Sequence, residues 1–450
     1  MVPSLFPFLM RRGVLCAALL AAGQSGAMGL IAAYGAALQH DPVYRSAVHD
    51  QQAGAQYGAI GRSALLPTLQ YTYGNSKNKA ELTAPGAGAL AATTHPEYTS
   101  ISSSVTLRQT LFNLDAVARY RQGMAQAGYS AAQFASRSQD LMIRLVTAYA
   151  DVKYGQDQLA LLGAQRDALA EQKRANQRLF QHGEGTRTDV LETEAKLDVA
   201  EAQLIEAQDS LMTARVTLAA MIGQDAPPLD SLVTDFTVPA LSVSAFEDWQ
   251  ALAGKHNAEL AAGRFALESA EQEIHKGRAG HAPRLDLNAS VSRASSDTLT
   301  TWKQDSTVRS IGIQLVVPLY SGGLATAVTS QAVANRDKAR SDLEAGTSRV
   351  MIELRKQFNA ARSSIAKLAA LQKSADSAAL LVQATRQSVK GGVRVNLDVL
   401  NAEQQLQAAR RDLAQARYSY LIGFLKLRVA AGTLDSDDLR TVAAYFSAVQ

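Results

Sequence analysis

The residues of this chain that could do chemistry are scattered, and their spacing fits no reaction. Among seven histidines, His275 and His281 flank a Lys-Gly-Arg-Ala-Gly stretch and the others stand alone, so none forms a metal or catalytic pair. Asp435, Asp437 and Asp438 imitate the start of a calcium loop, but the glycine and terminal glutamate of an EF-hand are missing. A solvated helix start is the better reading. Gly322-Gly323 is followed by neither a Walker lysine nor a dinucleotide fingerprint, which leaves it as a strand-to-helix turn. With no nucleophile and base, metal cluster or cofactor loop in view, the sequence predicts no enzyme, no metal and no cofactor.

Three charged residues near turns carry more information. Asp189 and Asp398 both follow turn glycines, where a carboxylate caps the free N–H groups of a helix start. Arg394, read alone, is a solvated surface charge.

The elements that position them begin after a leader. Arg11 and Arg12 precede an apolar run from Val14 to Ala22, and Ser25-Gly26-Ala27 is a small-residue cleavage site, so residues 1–27 read as a secretory signal peptide. That run is too short for a membrane span, and no other stretch approaches one, so any span must be a β-barrel. Loss of Arg11 and Arg12 takes the formal charge of +4 down by two, to +2, with both signs interspersed; nothing suggests nucleic acid. The single cysteine, Cys16, leaves with the leader. A cysteine-free exported chain fits an oxidising periplasm and excludes disulfide scaffolds, structural zinc and cysteine catalysis.

Beyond the leader the chain is two copies of one unit. Leu179, Gly183, Asp189, Leu197, Leu204 and Gly223 meet Ser388, Gly392, Asp398, Leu406, Leu413 and Gly432 at a constant offset of 209. Upstream, Pro67 and Leu69 meet Pro283 and Leu285 at 216, so the first copy carries an insertion between Pro67 and Leu111. The copies occupy residues 28–226 and 227–450, the latter including a linker and a C-terminal segment.

Proline is absent from Glu97 through Ala226 and after Pro318, so very long helices are allowed. Leu197, Ala200, Leu204, Ala207, Leu211, Ala214, Leu218 and Met221 step by three and four without interruption, and Leu406 through Ala430 repeat the steps. Such spacing means coiled coils. Glycines 183 and 185, and 391 and 392, mark where each helix turns back, giving hairpins over about 114–222 and 324–431. Before each hairpin, period-two alternation predicts strands at about 68–75 and 101–111, then 285–293 and 309–319. The connections Ser76 to Ser100 and Arg293 to Val308 read as loops facing outward. Four strands cannot enclose a useful lumen, so the barrel must be shared between chains.

At this point the pattern resembles the TolC outer-membrane efflux family, from about Leu30 to Leu439. The resemblance rests on Ala36-Ala37-Leu38-Gln39-His40-Asp41-Pro42, Gln109-Thr110-Leu111-Phe112, Val317-Pro318-Leu319-Tyr320-Ser321-Gly322-Gly323 and Ala416-Arg417-Tyr418-Ser419-Tyr420-Leu421. It implies a mainly α protomer with membrane β: a homotrimer in the cell outer membrane, with four strands per chain in a twelve-stranded barrel and a periplasmic helical tunnel below. Asp230 to His256 and Leu434 to Phe446 would form an equatorial belt. A periplasmic adaptor and an inner-membrane transporter of ABC or RND type would dock the tip, and polypeptides (type I secretion) or small toxic molecules would pass through.

The resemblance also implies site roles. Asp398 matches an acidic position of the family's aperture ring, and Asn401 replaces the second, halving the ring charge from six to three in a trimer. Arg394 matches the arginine of the aperture-closing network, with Thr188 and Asp189 as its partners; Val389 stands where that network has a tyrosine. The alternative without a pore, a periplasmic coiled-coil adaptor or structural protein, explains the heptads and leaves the four alternating segments without a purpose.

Overall fold

The computed structural model of the chain describes residues 27–84, 92–233, 236, 245–296 and 304–447. Residues 1–26 of the predicted signal peptide, the outer ends of the two strand connections and part of the predicted equatorial segment lie outside these residues. In chain order the elements are α1 (Leu30–His40), α2 (Pro42–Ser63), β1 (Thr68–Lys79), β2 (Leu82–Ala84), β3 (Ala92–Thr94), β4 (Glu97–Phe112), α3 (Leu114–Gln181) and α4 (Arg187–Ile222). Then follow β5 (Ser231–Leu232), α5 (Phe246–His256), α6 (Ala258–Ala279), β6 (Arg284–Ser296), β7 (Gln304–Val316), α7 (Leu324–Lys390), α8 (Asn396–Ala431), α9 (Ser436–Ala443) and β8 (Phe446–Ser447).

Helices α3 and α7 run for 68 and 67 residues, about 100 Å each at ~1.5 Å per residue. Asn113 starts α3 by accepting from the N–H groups of Asp115 and Ala116 at 3.0 and 3.4 Å. Below the middle of the molecule α3 pairs with α4 and α7 with α8; above it α2, α3, α6 and α7 pack side by side in that order.

Each copy's second long helix ends against the start of the helix that leads into its strands. Gly223 ends α4 at φ +75°, and a Cβ there would lie 2.5 Å from Cγ of His40, at the end of α1. Gly432 ends α8 at φ +72°, and a Cβ there would overlap the His256–Asn257 peptide. Asn257 caps α6 by accepting from Leu260 N–H at 3.1 Å and donates back to the carbonyl of Ala430 at 3.1 Å. Glycine is therefore required twice, both for the left-handed turn and for the close approach.

At this level α1, α9, β5 and β8 close around the long helices. Tyr149, Tyr418, Tyr420, Leu425 and Phe446 are buried in the core they share, and the Tyr149 and Phe446 rings meet edge to face at 5.1 Å.

The four long strands form one antiparallel sheet in the order β1-β4-β6-β7, so β4 and β6 join the two copies. They reach further outward than the alternation predicted. β1 continues to Lys79, β4 begins at Glu97, and the short ladder of β2 and β3 prolongs that hairpin into the segment read as a loop. Its Thr and Ser residues, which composition assigned to loop, are compatible with a strand once a partner is in register. β7 stops at Val316, before Pro318, whose missing N–H cannot extend a ladder.

Candidate functional site

Register sorts the sheet into two faces. One carries Leu69, Leu107, Ala289 and Ile311 in a row, then Tyr71, Val105, Val291 and Arg309, with Leu287 and Ile313 nearer the helices. Leu69, Ile311 and Ile313 are 71%, 77% and 66% exposed, a state that water does not favour and lipid does. The opposite face carries Gln70, Thr106, Ser290 and Ser310, and is stitched by polar contacts. Ser290 and Ser310 hydroxyls meet at 2.8 Å, Asn288 donates to Gln314 at 3.2 Å, and Arg108 Nη2 lies 2.6 Å from buried Asp286. The outer strands β1 and β7 each have one unpaired edge in this sheet.

At the far end, the two helical turns differ in a way the duplication makes legible. In the first copy Thr186 caps α4: Asp189 N–H donates to Thr186 Oγ1 at 3.1 Å, and the hydroxyl donates to Asp189 Oδ2 at 2.6 Å. The equivalent residue of the second copy is Val395, which has no side-chain oxygen to offer. Asp398 still lies in the first turn of α8, half-buried, but among the described residues its carboxylate has no side-chain partner.

Thr188 and Arg394 are exposed, and within the protomer Arg394 makes no ion pair among the described residues. Asp189 and Arg394 are thus not joined inside one chain. Asn401 does have a partner: Lys196 Nζ of α4 lies 2.9 Å from its Oδ1. Beside this contact Leu169, Leu197, Ala200 and Leu400 form a small apolar cluster that seals the two hairpins together. Lys196 escaped the sequence analysis because its heptad register marks it only as a flank of Leu197, and no local motif tells which helix faces it.

A second set of polar groups lies buried at the equator. Tyr418 donates to Asp157 Oδ2 at 2.7 Å, and Lys153 reaches Gln156 Oε1 at 2.9 Å and Ser231 Oγ at 3.0 Å. Burial raises the Asp157 pKa despite the Tyr418 hydrogen bond and nearby Lys153 and Arg417, and lowers that of Lys153. Asp41 behaves oppositely. Burial alone would raise it, but hydrogen bonds from Arg144 and Tyr44 N–H and the Arg144 charge outweigh that and hold it below the usual carboxylate range. Neither pair touches a cluster suited to a metal ion among the described residues.

An amphipathic four-stranded sheet with two open edges, joined to helical hairpins far longer than a compact domain needs, is the geometry of a wall segment. Comparison with known proteins agrees. The model of the family described as outer membrane efflux protein matches residues 33–224 and 249–433, one segment in each copy. The alkaline protease secretion protein AprF of Pseudomonas aeruginosa is 41% identical over 428 residues, 93% of this chain and 88% of that protein. The proteases secretion protein PrtF of Dickeya chrysanthemi is 41% identical over 434 residues, 95% of this chain and 93% of its own length. Among solved structures, the Campylobacter jejuni CmeC outer membrane channel superposes with a TM-score of 0.78 at 16% identity, covering 98% of each chain, a likeness of fold. The chain belongs to the outer membrane efflux protein family.

Proposed function

We propose that three copies of this chain close their sheets edge to edge into a twelve-stranded barrel in the outer membrane, and that the helices below form a tunnel through which polypeptides leave the cell. The observation that carries this is the sheet itself. Its apolar face is exposed along its length and its outer strands leave ladder groups unpaired, which lipid forbids unless neighbouring copies pair them. Polypeptide cargo, as in type I secretion, is favoured over small-molecule efflux because two relatives at 41% identity are named for protease secretion. A periplasmic adaptor and an inner-membrane transporter, of the ABC type for this cargo, complete the conduit; the chain itself turns over no substrate.

At the tunnel entrance three copies of Asp398 form an anionic ring. Its support is the carboxylate left without a side-chain partner among the described residues, where Val395 replaces the capping threonine of the first copy. Asn401, whose Oδ1 accepts from Lys196 Nζ of the same chain at 2.9 Å, adds no charge to that ring. Arg394, with Thr188 and Asp189, closes the entrance between neighbouring protomers.

Fractionation and cross-linking test the assembly: the protein should band as a trimer in the outer membrane, and deletion should abolish secretion of an exported protease. A monomer in the soluble periplasm would sink the barrel, and protease secretion that persists after deletion would sink the assigned cargo.

A further inference from the structure

The apolar face of the sheet ends in a feature that the conduit does not use. Read from the helical end, the outward positions of β6 are Leu285, Leu287, Ala289 and Val291, followed by Arg293; those of β7 are Leu315, Ile313 and Ile311, followed by Arg309. Val291 pairs with Arg309, and Arg293 pairs with Thr307. The two arginines therefore start from diagonal positions on adjacent strands, about 7–8 Å apart. Both are exposed, and among the described residues neither has an ion-pair partner. Among the described residues, Asp305, opposite Ser295 one outward row beyond Arg293, is an acid on this face with no ion pair, and Glu97 is held by Lys79 at 2.7 Å.

Their height identifies their surroundings. Leu285 to Arg293 spans about 27 Å along a strand and Leu315 to Arg309 about 20 Å, at ~3.4 Å per residue, or about 20 Å and about 15 Å of height at a tilt of about 35–45°, against an apolar band about 25 Å tall. The arginines stand in the outer part of that band, on the side away from the helices, where long side chains reach out to the headgroups. Directly inward of them, small Ala289 between Val105, Leu107, Val291 and Ile311 leaves a shallow apolar trough of about 320 Å³, with Arg309 on its lining.

We infer that this face binds a phosphorylated glycolipid of the outer leaflet, one acyl chain lying in the trough over Ala289 and a phosphate held between Arg293 and Arg309. Two planar guanidinium forks match phosphate oxygens in a way that a zwitterionic headgroup, carrying its own cation, does not reward. The trough supplies what a free anion would not need. The site rests on the membrane-barrel reading above, and bilayer insertion, measured separately, tells the failure of one from the failure of the other.

The mature protein is reconstituted into phosphatidylcholine bilayers containing a minor fraction of diphosphoryl lipid A. Lipid retained by the inserted trimer after detergent extraction is counted by native mass spectrometry. Lipid A should be retained in preference to phosphatidylcholine and be released by salt. R293Q/R309Q should weaken retention roughly 30-fold, about fivefold for each cation at a membrane surface, and R293K/R309K should restore part of it. Ala289→Leu, with both charges intact, should also lower retention by filling the trough. If the double glutamine variant fails to insert, Arg309→Gln and Ala289→Leu decide alone. Undiminished lipid A retention by inserted variants, equal retention of phosphatidylcholine by the unaltered protein, or displacement of lipid A by inorganic phosphate alone would each overturn the site. A protein that does not insert would overturn the barrel and the lipid site together.

Discussion

Lys196 and Asn401 join the two halves of the duplication: the Nζ of the first, on α4, lies 2.9 Å from the Oδ1 of the second, on α8. A position that the family resemblance assigns to an entrance ring is thereby occupied by a contact between hairpins of one chain. An acidic side chain there would meet an ammonium group before it met the pore.

Asn401→Asp alone should therefore change cation selectivity little, because Lys196 neutralises the added charge, and should instead strengthen the contact and reduce spontaneous opening. Lys196→Ala/Asn401→Asp should release that charge and raise cation preference. Reversal potentials in planar bilayers separate the two. Equal, large selectivity increases in both variants would mean that Lys196 does not hold residue 401.

Asp398→Ala should lower cation preference and sensitivity to block by multivalent cations, because field lines focus in a low-dielectric constriction. Asp189→Ala should not, since that carboxylate is engaged by Thr186; it should instead loosen the capping box, whose N-cap Thr186 still accepts from the residue 189 N–H, and weaken the latch with Arg394. If both variants lower selectivity alike, the distinction between free and engaged carboxylates fails.

Arg394→Ser should shift the resting channel to higher conductance with the trimer intact. A charge-assisted bond is worth about 1.5–3 kcal/mol where partly buried, and in one protomer Arg394 is exposed and not joined to Asp189. The proposed latch therefore requires a carboxylate from the neighbouring chain. Disulfide trapping with Arg394→Cys and Asp189→Cys should give cross-linked trimers; cross-links confined to one chain, or none, would remove the latch.

How much of this was legible in the sequence differs by element. The hairpins were, because the absence of proline and the Leu and Ala steps act over tens of residues and no tertiary contact is needed to read them. The strands were recognised, but their outer ends were not: Ser76 to Lys79 and Glu97 to Ser100 fall in the segment read as a loop and become strand because they pair with each other in register. Asp398 was visible as an acid after turn glycines. That it has no side-chain partner among the described residues while Asp189 is bound depends on Val395 aligning with Thr186, a comparison the offset of 209 allows but a motif search does not make. Lys196 and the Tyr418 and Asp157 pair were invisible, because contacts across more than 200 residues are set by how helices pack, and local spacing carries no trace of them.

That last pair gives a pH-dependent test. Asp157 accepts from Tyr418 at 2.7 Å within the equatorial core, and burial raises its pKa above the ordinary carboxylate value. Tyr418 is pushed far above the phenol range, first by burial and then by the Asp157 charge, so it remains a donor throughout. The native state thus binds the Asp157 proton more tightly than the unfolded chain does. Its contribution to stability is fully present below the unfolded carboxylate pKa and is lost as pH rises through the raised native one. Asp157→Asn keeps an acceptor for Tyr418 and has nothing to titrate, so it should flatten the dependence and leave the belt at least as stable at neutral pH. Asp157→Leu should strand the buried hydroxyl and cost about 1–3 kcal/mol at every pH. Hydrogen exchange of α8 and the β5–β8 ladder, followed from about pH 4 to about pH 8 around the ordinary carboxylate range, reads the belt directly without requiring the whole trimer to unfold reversibly. In the unaltered protein, protection corrected for intrinsic exchange should fall over the window just above that range. An Asp157→Asn variant that retains the same fall would assign it to another group, and an Asp157→Leu variant as well protected as Asp157→Asn would mean that the Tyr418 hydroxyl has no need of this partner.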